Sequence, residues 1–340
     1  MKNIVRHITL LLIAFAFLSG IAHSQLMPNL GEQRVGISSL SFLKIGVGAR
    51  GVGMGESFVA VSNDVSALHW NPAGLTQFAD DQVLVAHTEY VLDIKHEFFG
   101  GAYHLSPSDV VGVSITNLHM NEMPVTTTTQ PFGTGEYFTF GDFALGLTYA
   151  RAMTEQFSFG VTAKYIQETD GLLKMRGMVV DLGTYYWTGI SSTRFAVVVS
   201  NFGGNFSPSG SITLENDTTI SKFQSFSPPT MFKFGIAWDP IDGDGQKLTT
   251  TIELNHPNDN SENFHIGVEY IWHDWVAFRA GTKRTIGQRL FGEDNTGASD
   301  VTFGIGLTAP TSFANISFDY AYANFNMLGS AHRISLKAGF

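Results

Sequence analysis

The last eight residues, Arg333 to Phe340, alternate without a break. Ile334, Leu336, Ala338 and Phe340 fall on one face; Arg333, Ser335, Lys337 and Gly339 fall on the other. Period two is the repeat of a β-strand with one face out of water. A soluble domain seldom stops inside such a strand, because a terminal strand frays or runs on into polar residues. A closed barrel has a use for it, since its last strand pairs with its first and closure leaves no edge. An aromatic C-terminus is the mark expected of a strand presented to outer-membrane insertion machinery, so Phe340 is read as the membrane-insertion signal.

The N-terminus points to the same compartment. Lys2 and Arg6, an apolar run from Ile8 to Leu18 and the pattern Ala22-His23-Ser24 read as a signal peptide over residues 1–24, cut after Ser24. The run is shorter than the ~20 apolar residues a spanning helix needs, and no other run approaches that length. The chain has no Cys, which excludes a lipoprotein and a disulfide scaffold. Without a spanning helix, a membrane protein must be a barrel. Gly at 36, Phe at 28 and only 15% charged residues suit a glycine- and aromatic-rich β-protein. The net charge of −10 becomes −10 − 2 = −12 without Lys2 and Arg6. That acidic balance argues against a nucleic-acid partner, which needs a basic footprint.

Strand patterns run from about Gln82 to the end. Phe157, Phe159, Val161, Ala163 and Tyr165 alternate with Ser158, Gly160, Thr162 and Lys164. Phe232, Phe234, Ile236 and Trp238 alternate with Lys233, Gly235 and Ala237, and Val301, Phe303, Ile305 and Leu307 with Thr302, Gly304, Gly306 and Thr308. One face is large and apolar; the other is small or polar, and often Gly. A sandwich would point the apolar face inward, a membrane barrel outward to lipid. Many runs reach the ~9–11 residues of a membrane-crossing strand. Tyr149, Trp187, Trp238, Trp272, Trp275 and Tyr322 stand at run ends, where interfacial girdles belong.

The pattern gives about fourteen strands, beginning at Val83, Lys95, Asp109, Tyr137, Gln156, Lys174, Thr193, Met231, Lys247, Asn263, Val276, Val301, Ser312 and Ala331. The longest connections, 119–136, 202–230 and 284–300, follow the third, seventh and eleventh strands, so they share one side. The short ones, 106–108, 151–155, 188–192, 273–274 and 309–311, share the other. Long loops outside and short turns in the periplasm is the barrel rule. It places both termini in the periplasm and the long loops, expected to be mobile, outside the cell. The fold class is therefore all-β: a transmembrane antiparallel barrel over 82–340, with residues 25–81 as an N-terminal segment that folds into the lumen as a hatch. Within it a short helix is expected around Asp64 to His69 and a turn at Asn71 to Gly74.

Gly46-Val47-Gly48-Ala49-Arg50-Gly51 matches G-x-G-x-x-G, but a dinucleotide site needs a strand before it and a βαβ unit around it, and none is indicated. The more specific stretch is Gly48-Ala49-Arg50-Gly51-Val52-Gly53-Met54-Gly55, followed by Asn63-Asp64-Val65-Ser66-Ala67-Leu68-His69-Trp70-Asn71-Pro72-Ala73-Gly74-Leu75. Here the chain resembles the FadL-type outer-membrane barrels, and more closely their PorV/PorQ branch, associated with type IX secretion. The match rests on the Gly-Ala-Arg-Gly run, the Met-Gly step, the Asp-x-Ser-Ala turn and the Trp-Asn-Pro-Ala-Gly-Leu close, within residues 46–75. The resemblance implies a fourteen-stranded barrel with a hatch, and the hatch motif Gly48, Arg50, Gly53, Gly55, Asp64, Trp70, Asn71, Pro72 and Ala73. It also implies a role in engaging cargo C-terminal signal domains from the type IX translocon and passing them to the cell surface. The alternative is a passive channel for hydrophobic small molecules, as in FadL itself. The PorV-like and PorQ-like roles both stay open.

No residues are assigned to catalysis, and no cofactor or metal is expected. His265 and His273 are not at ligand spacing and read as lumenal or interfacial. Asp239, Asp242 and Asp244 resemble a calcium loop without its later Glu, and read as a turn. Ser, His and Asp occur without a nucleophile elbow, so the chain is not expected to be an enzyme. Lys164, Arg194, Glu269, Arg279, Asp319 and Lys337 are expected to pair in the lumen. The partners expected are outer-membrane lipid and the insertion machinery, and, on either functional reading, the translocon and cargo domains or hydrophobic compounds.

The protein should fractionate with the outer membrane and migrate differently in boiled and unboiled gels. Val161→Arg on the lipid face should cost ~2–4 kcal/mol of barrel stability. Thr162→Arg on the lumenal face is expected to cost less.

Overall fold

A computed structural model describes residues 38–213, 218–285, 301–325 and 329–340. The signal peptide over 1–24, residues 25–37 of the lumenal segment and nearly all of the 284–300 connection lie outside the described residues. Fourteen antiparallel strands close into one barrel. They are β1 (Gln82–Glu89), β2 (Lys95–His104), β3 (Asp109–His119), β4 (Phe140–Ala152), β5 (Phe157–Asp170), β6 (Leu173–Trp187) and β7 (Arg194–Phe202), then β8 (Met231–Gly243), β9 (Gln246–Pro257), β10 (Asn263–Trp272), β11 (Val276–Thr285), β12 (Val301–Pro310), β13 (Asn315–Asn324) and β14 (Ser330–Gly339). Each strand pairs with its sequence neighbours, and β14 closes on β1 from Gln82 opposite Gly339 to Glu89 opposite His332.

Two strand starts differ from those read in the sequence by three residues. Tyr137 and Phe138 leave the barrel to pair with Met123 and Pro124 in a small hairpin, so β4 begins at Phe140. Ser312 sits in a turn in which the Thr311 hydroxyl and amide both donate to Ala314 O, so β13 begins at Asn315. Neither shift is visible in a period-two pattern, which continues across both boundaries.

Phe159, Leu147, Phe232, Ile236, Phe303, Ile305, Leu307 and Leu336 are exposed on the outer face. Tyr149, Trp238, Trp272 and Trp275 are exposed near the short-turn end, where an interfacial band belongs. Trp187 does not join them. It shares strand parity with the buried Tyr185 and points inward, its Nε1 donating to Gln77 Oε1 at 2.8 Å beneath the Arg194 guanidinium.

The core lies inside the barrel, and residues 38–81 supply much of it. Val52, Met54, Phe58, Val59 and Trp70 pack against Tyr185 and Val198 of the wall, and Leu68 and Leu75 against Leu84 and Phe98. Backbone meets backbone at wall glycines. A Cβ on Gly183 would collide with Asn71 and Pro72, on Gly160 with Pro72 and Ala73, on Gly267 with Met54, and on Gly281 with Met54 and Gly55. The lumen is therefore packed, and this corrects the expectation for Thr162. Its side chain is fully buried, with Oγ1 2.8 Å from Thr148 Oγ1. An arginine has no space there and would be at least as disruptive as on the lipid face.

Long connections follow β3, β7 and β11 at one end of the barrel, as expected. The one after β7 is pinned at its base rather than free. Phe206 and Phe226 exchange backbone hydrogen bonds at 2.7 Å, Ser39 N donates to Ser227 O, and the Phe206 ring occupies the space over Gly177. Its exposed apex is a small hairpin pairing Ile212 with Ile220 and Thr213 with Thr219.

Gly281→Val should force the plug off the wall and cost ~1–3 kcal/mol or more, the range for overpacking. Gly243→Val, where a Cβ meets nothing within 4 Å, is the control. Limited proteolysis within residues 38–81, with thermal unfolding in detergent, should separate the two variants.

Candidate functional site

The conspicuous motif residues form the middle of the plug. Two short helices, α1 (Ala49–Gly53) and α2 (Ala67–Trp70), and a 3-10 turn (Pro72–Gln77) fold across the lumen. Gly48 precedes α1 at φ 75° and Gly55 follows it at φ 68°, conformations that L-residues with a Cβ resist. Gly55 also lies against the β11 backbone at Thr282. The plug amides find partners on the wall. Ala49 N donates to Ser335 Oγ at 3.1 Å, and Gly55 N to Thr302 Oγ1 at 3.0 Å. Phe58 N and Val59 N both donate to Glu253 Oε2, at 2.9 and 3.0 Å.

Asn71 ties the turn. Its Oδ1 accepts from Ala73 N at 3.1 Å, while Nδ2 donates to Val59 O at 2.9 Å and to Thr184 O of β6 at 3.1 Å. Pro72 follows at the first position of the turn, where no amide proton is needed. Trp70 is 2% exposed and donates Nε1 to Val47 O at 3.0 Å. Its ring lies over Gly51 and Gly46, so the G-x-G-x-x-G glycines make room for an indole. Ala73 is fully buried beside Gly160 of β5. Phe340 is remote from this cluster. It is exposed at the short-turn end, its amide donating to Asp81 O at 2.9 Å.

The lock between plug and wall is ionic. Arg50 donates from NH1 to Asp64 Oδ2 and Asn63 Oδ1, both at 2.7 Å, and grips Glu269 of β10 through Nε and NH2 at 2.9 and 2.8 Å. Glu269 Oε2 also accepts from Arg279 Nε of β11 at 2.6 Å, and Arg279 NH1 donates to Asp319 of β13 at 2.7 Å. Asp64 turns its other oxygen back to Ser66, accepting from N at 2.9 Å and from Oγ at 2.5 Å. One chain of charges thus links the plug to three strands. Glu56 with Lys283 at 2.7 Å is a second link. Elsewhere Lys164 pairs with Asp181, and Arg194 with Asp239. The expected pairing of lumenal charges is therefore present for Lys164, Arg194, Glu269, Arg279 and Asp319. Asp239, read as part of a turn, is instead a buried strand residue facing Arg194. His265 is a buried lumenal residue and His273 a turn residue.

Burial alone would raise the pKa of Asp64, but Lys337, Arg50 and the Ser66 hydrogen bond outweigh it and hold it near 2. Burial likewise opposes Glu56, where Lys283 and His265 lead the groups that hold it at about 2. Both values lie below those of free carboxylates, near 4. Their contribution to plug docking is therefore complete above about pH 5 and lost as pH falls through 4 toward 2.

Above the plug, at the long-loop end, lies a cavity of about 410 Å³. Only Trp70, Met231 and Pro257 of its thirteen lining residues are apolar; the rest are polar or charged, including Lys44, Lys233 and Lys283. The wall residues Glu253, Glu269, Lys283, Thr302 and Ser335 were not singled out as plug contacts from the sequence. The available signal was lumenal parity combined with glycine, which marks where the wall is approached closely.

Arg50→Met should leave Asp64 buried without its direct ion pair and Glu269 with Arg279 alone, and breaking such a buried pair costs ~3–5 kcal/mol. Protease sensitivity within 38–81 should rise at neutral pH. In the intact protein the same sensitivity should stay flat from pH 8 to about 5 and rise between about pH 4 and 2.

The fold has solved counterparts. The Ralstonia pickettii toluene transporter TbuX is 13% identical, with a TM-score of 0.53 over 86% of this chain and 97% of that one. The CymD monoaromatic hydrocarbon channel is 14% identical, with a TM-score of 0.57 over 89% and 97%. The Pseudomonas putida toluene transporter TodX is 12% identical, with a TM-score of 0.56 over 89% and 98%. At these identities the likeness concerns the fold alone. No curated protein matches the sequence. The family model for type IX secretion system protein PorV matches residues 29–257, two thirds of the chain and the whole plug motif. A closed fourteen-stranded barrel, a packed plug and that match agree: the chain is an outer-membrane barrel that belongs to the PorV family of type IX secretion system proteins.

Proposed function

We propose that the protein serves type IX secretion without enzymatic activity, engaging C-terminal signal domains of cargo at its long-loop end and passing them to surface attachment. In this reading the long loops are extracellular, both termini are periplasmic, and residues 38–81 are a hatch that keeps the lumen shut. The observation that carries it is the contrast between the two sides of the hatch motif. Below and around it the lumen is packed and ionically locked. At the long-loop end, two small hairpins expose Met123, Phe132, Tyr137, Phe138 and Ile220. Exposed aromatics on protruding hairpins suit a protein partner, and short strands with open edges can pair with an incoming strand.

The rival reading, a passive channel for hydrophobic small molecules, is favoured by the transporter and channel neighbours. Against it stands the lining of the lumenal cavity, in which ten of thirteen residues are polar or charged.

Shortening the connection after β7 between its pinned ends, Phe206 and Phe226, should reduce co-purification of cargo signal domains by about tenfold if its apex carries a share of the contact energy. Insertion should be unchanged. Asn71→Ala should loosen the hatch and leak small solutes, with less effect on cargo. Absence of cargo binding to the intact protein, together with measurable toluene uptake, would falsify the secretion reading and promote the channel.

A further inference from the structure

We propose that the cavity above the plug is a carboxylate-binding site for an acidic polypeptide segment, with Lys233 as its charged contact. Three lysines line the cavity. Lys44 is committed to Asp259 and Lys283 to Glu56, each at 2.7 Å. Lys233 is 6% exposed and has no ion pair among the described residues. Its Nζ stands 5.4 Å from the centre of the Trp70 ring in a cation–π contact, with Glu253, Glu56 and Asp181 attracting it only at longer range. Glu253, two residues before Asn255 on the neighbouring strand, gives one oxygen to the amides of Phe58 and Val59 and forms no ion pair with Lys233. Burying an ammonium without a hydrogen-bonded counter-ion is unfavourable unless an anion completes it.

The surroundings narrow the anion. Lys233 is the one lysine of the lining without a carboxylate in ion-pair contact among the described residues, and with Glu253 and Glu56 already nearby a singly charged carboxylate adds less negative charge to the site than a phosphate dianion. The rest of the lining offers amide and hydroxyl groups, Asn255, Asn260, Asn263 and Thr285, that can hydrogen-bond a peptide's own polar groups. The cavity is bounded by the ends of β8, β9, β10 and β11 nearest the long loops, with Lys44, His69 and Trp70 of the plug, so a segment entering from that end can reach Lys233. The polypeptide source rests on the secretion reading; the carboxylate chemistry does not.

The test is calorimetric titration of the full protein in detergent with N-acetyl-Gly-Asp-Gly-amide, its Asn twin and octanoate. The Asp peptide should bind, and its Asn twin should bind about tenfold more weakly or worse, as loss of a desolvated charge pair requires. Lys233→Met should remove the difference and Lys233→Arg should retain it, with gel heat-modifiability confirming that each variant is folded. Should Lys233→Met fail to insert, the two peptides on the wild-type protein still decide. Equal binding of both peptides, no binding of either, or octanoate binding more tightly than the Asp peptide would overturn the proposal. Capture of cargo signal domains by the same preparation separates the two ideas. Capture without peptide discrimination sinks this site and leaves secretion standing; discrimination without capture does the reverse.

Discussion

Lipid offers no hydrogen bonds to a peptide group, and every other feature of this protein follows from that. A sheet can cross such a medium only if its last strand pairs with its first, and here β14 does so with β1 over the full length of the shorter strand. Closure turns the usual protein inside out. Large apolar side chains face the bilayer, and the small and polar face is turned inward. A fourteen-stranded interior is too wide for its own side chains to fill, so the chain fills it with residues 38–81, and the hydrophobic core ends up in the lumen.

Filling a lumen with backbone creates two problems, and the sequence solves each with a different residue type. Steric room comes from glycine on both partners: Gly53 against Gly304, Gly55 against Gly281, Pro72 against Gly160. Polar satisfaction comes from wall residues placed under specific plug amides, as Glu253 lies under Phe58 and Val59. Charge is the third element. Arg50 is shared between a plug carboxylate and a wall carboxylate and joins the two, and the chain of pairs extends through Arg279 to Asp319. Such a network fixes one docking arrangement. Buried pairs give specificity of arrangement more reliably than net stability.

The functional consequence is an asymmetry along the barrel axis. The plug presents Trp70 and His69 to a cavity that opens toward the long loops, while the connection after β3 exposes Phe132, Tyr137 and Phe138. The hydrocarbon channels that share this fold show that the scaffold alone does not select the cargo. In this chain ten of the thirteen residues lining the lumenal cavity are polar or charged, while the mouth exposes Phe132, Tyr137 and Phe138.

Sequence periodicity alone was enough for the barrel, because period-two alternation is a local property enforced by the lipid on each strand separately. It located most strand starts to within one residue and sorted the loops by length, while the glycine-rich composition set residues 25–81 apart as the segment folded into the lumen. It went wrong where alternation continues through a boundary, at Tyr137 and Ser312, and where parity rather than aromaticity decides direction, at Trp187. The plug's partners were beyond its reach. Arg50 meets Glu269, and Gly55 meets Gly281, across more than two hundred residues; no window of sequence contains both. Composition marked those wall positions as glycine, acid or base, but which glycine receives which plug turn is set by the register of fourteen strands taken together. The plug motif was thus determined by its own sequence, while its lock, its filled lumen and the uncommitted Lys233 exist only once the barrel has closed around it.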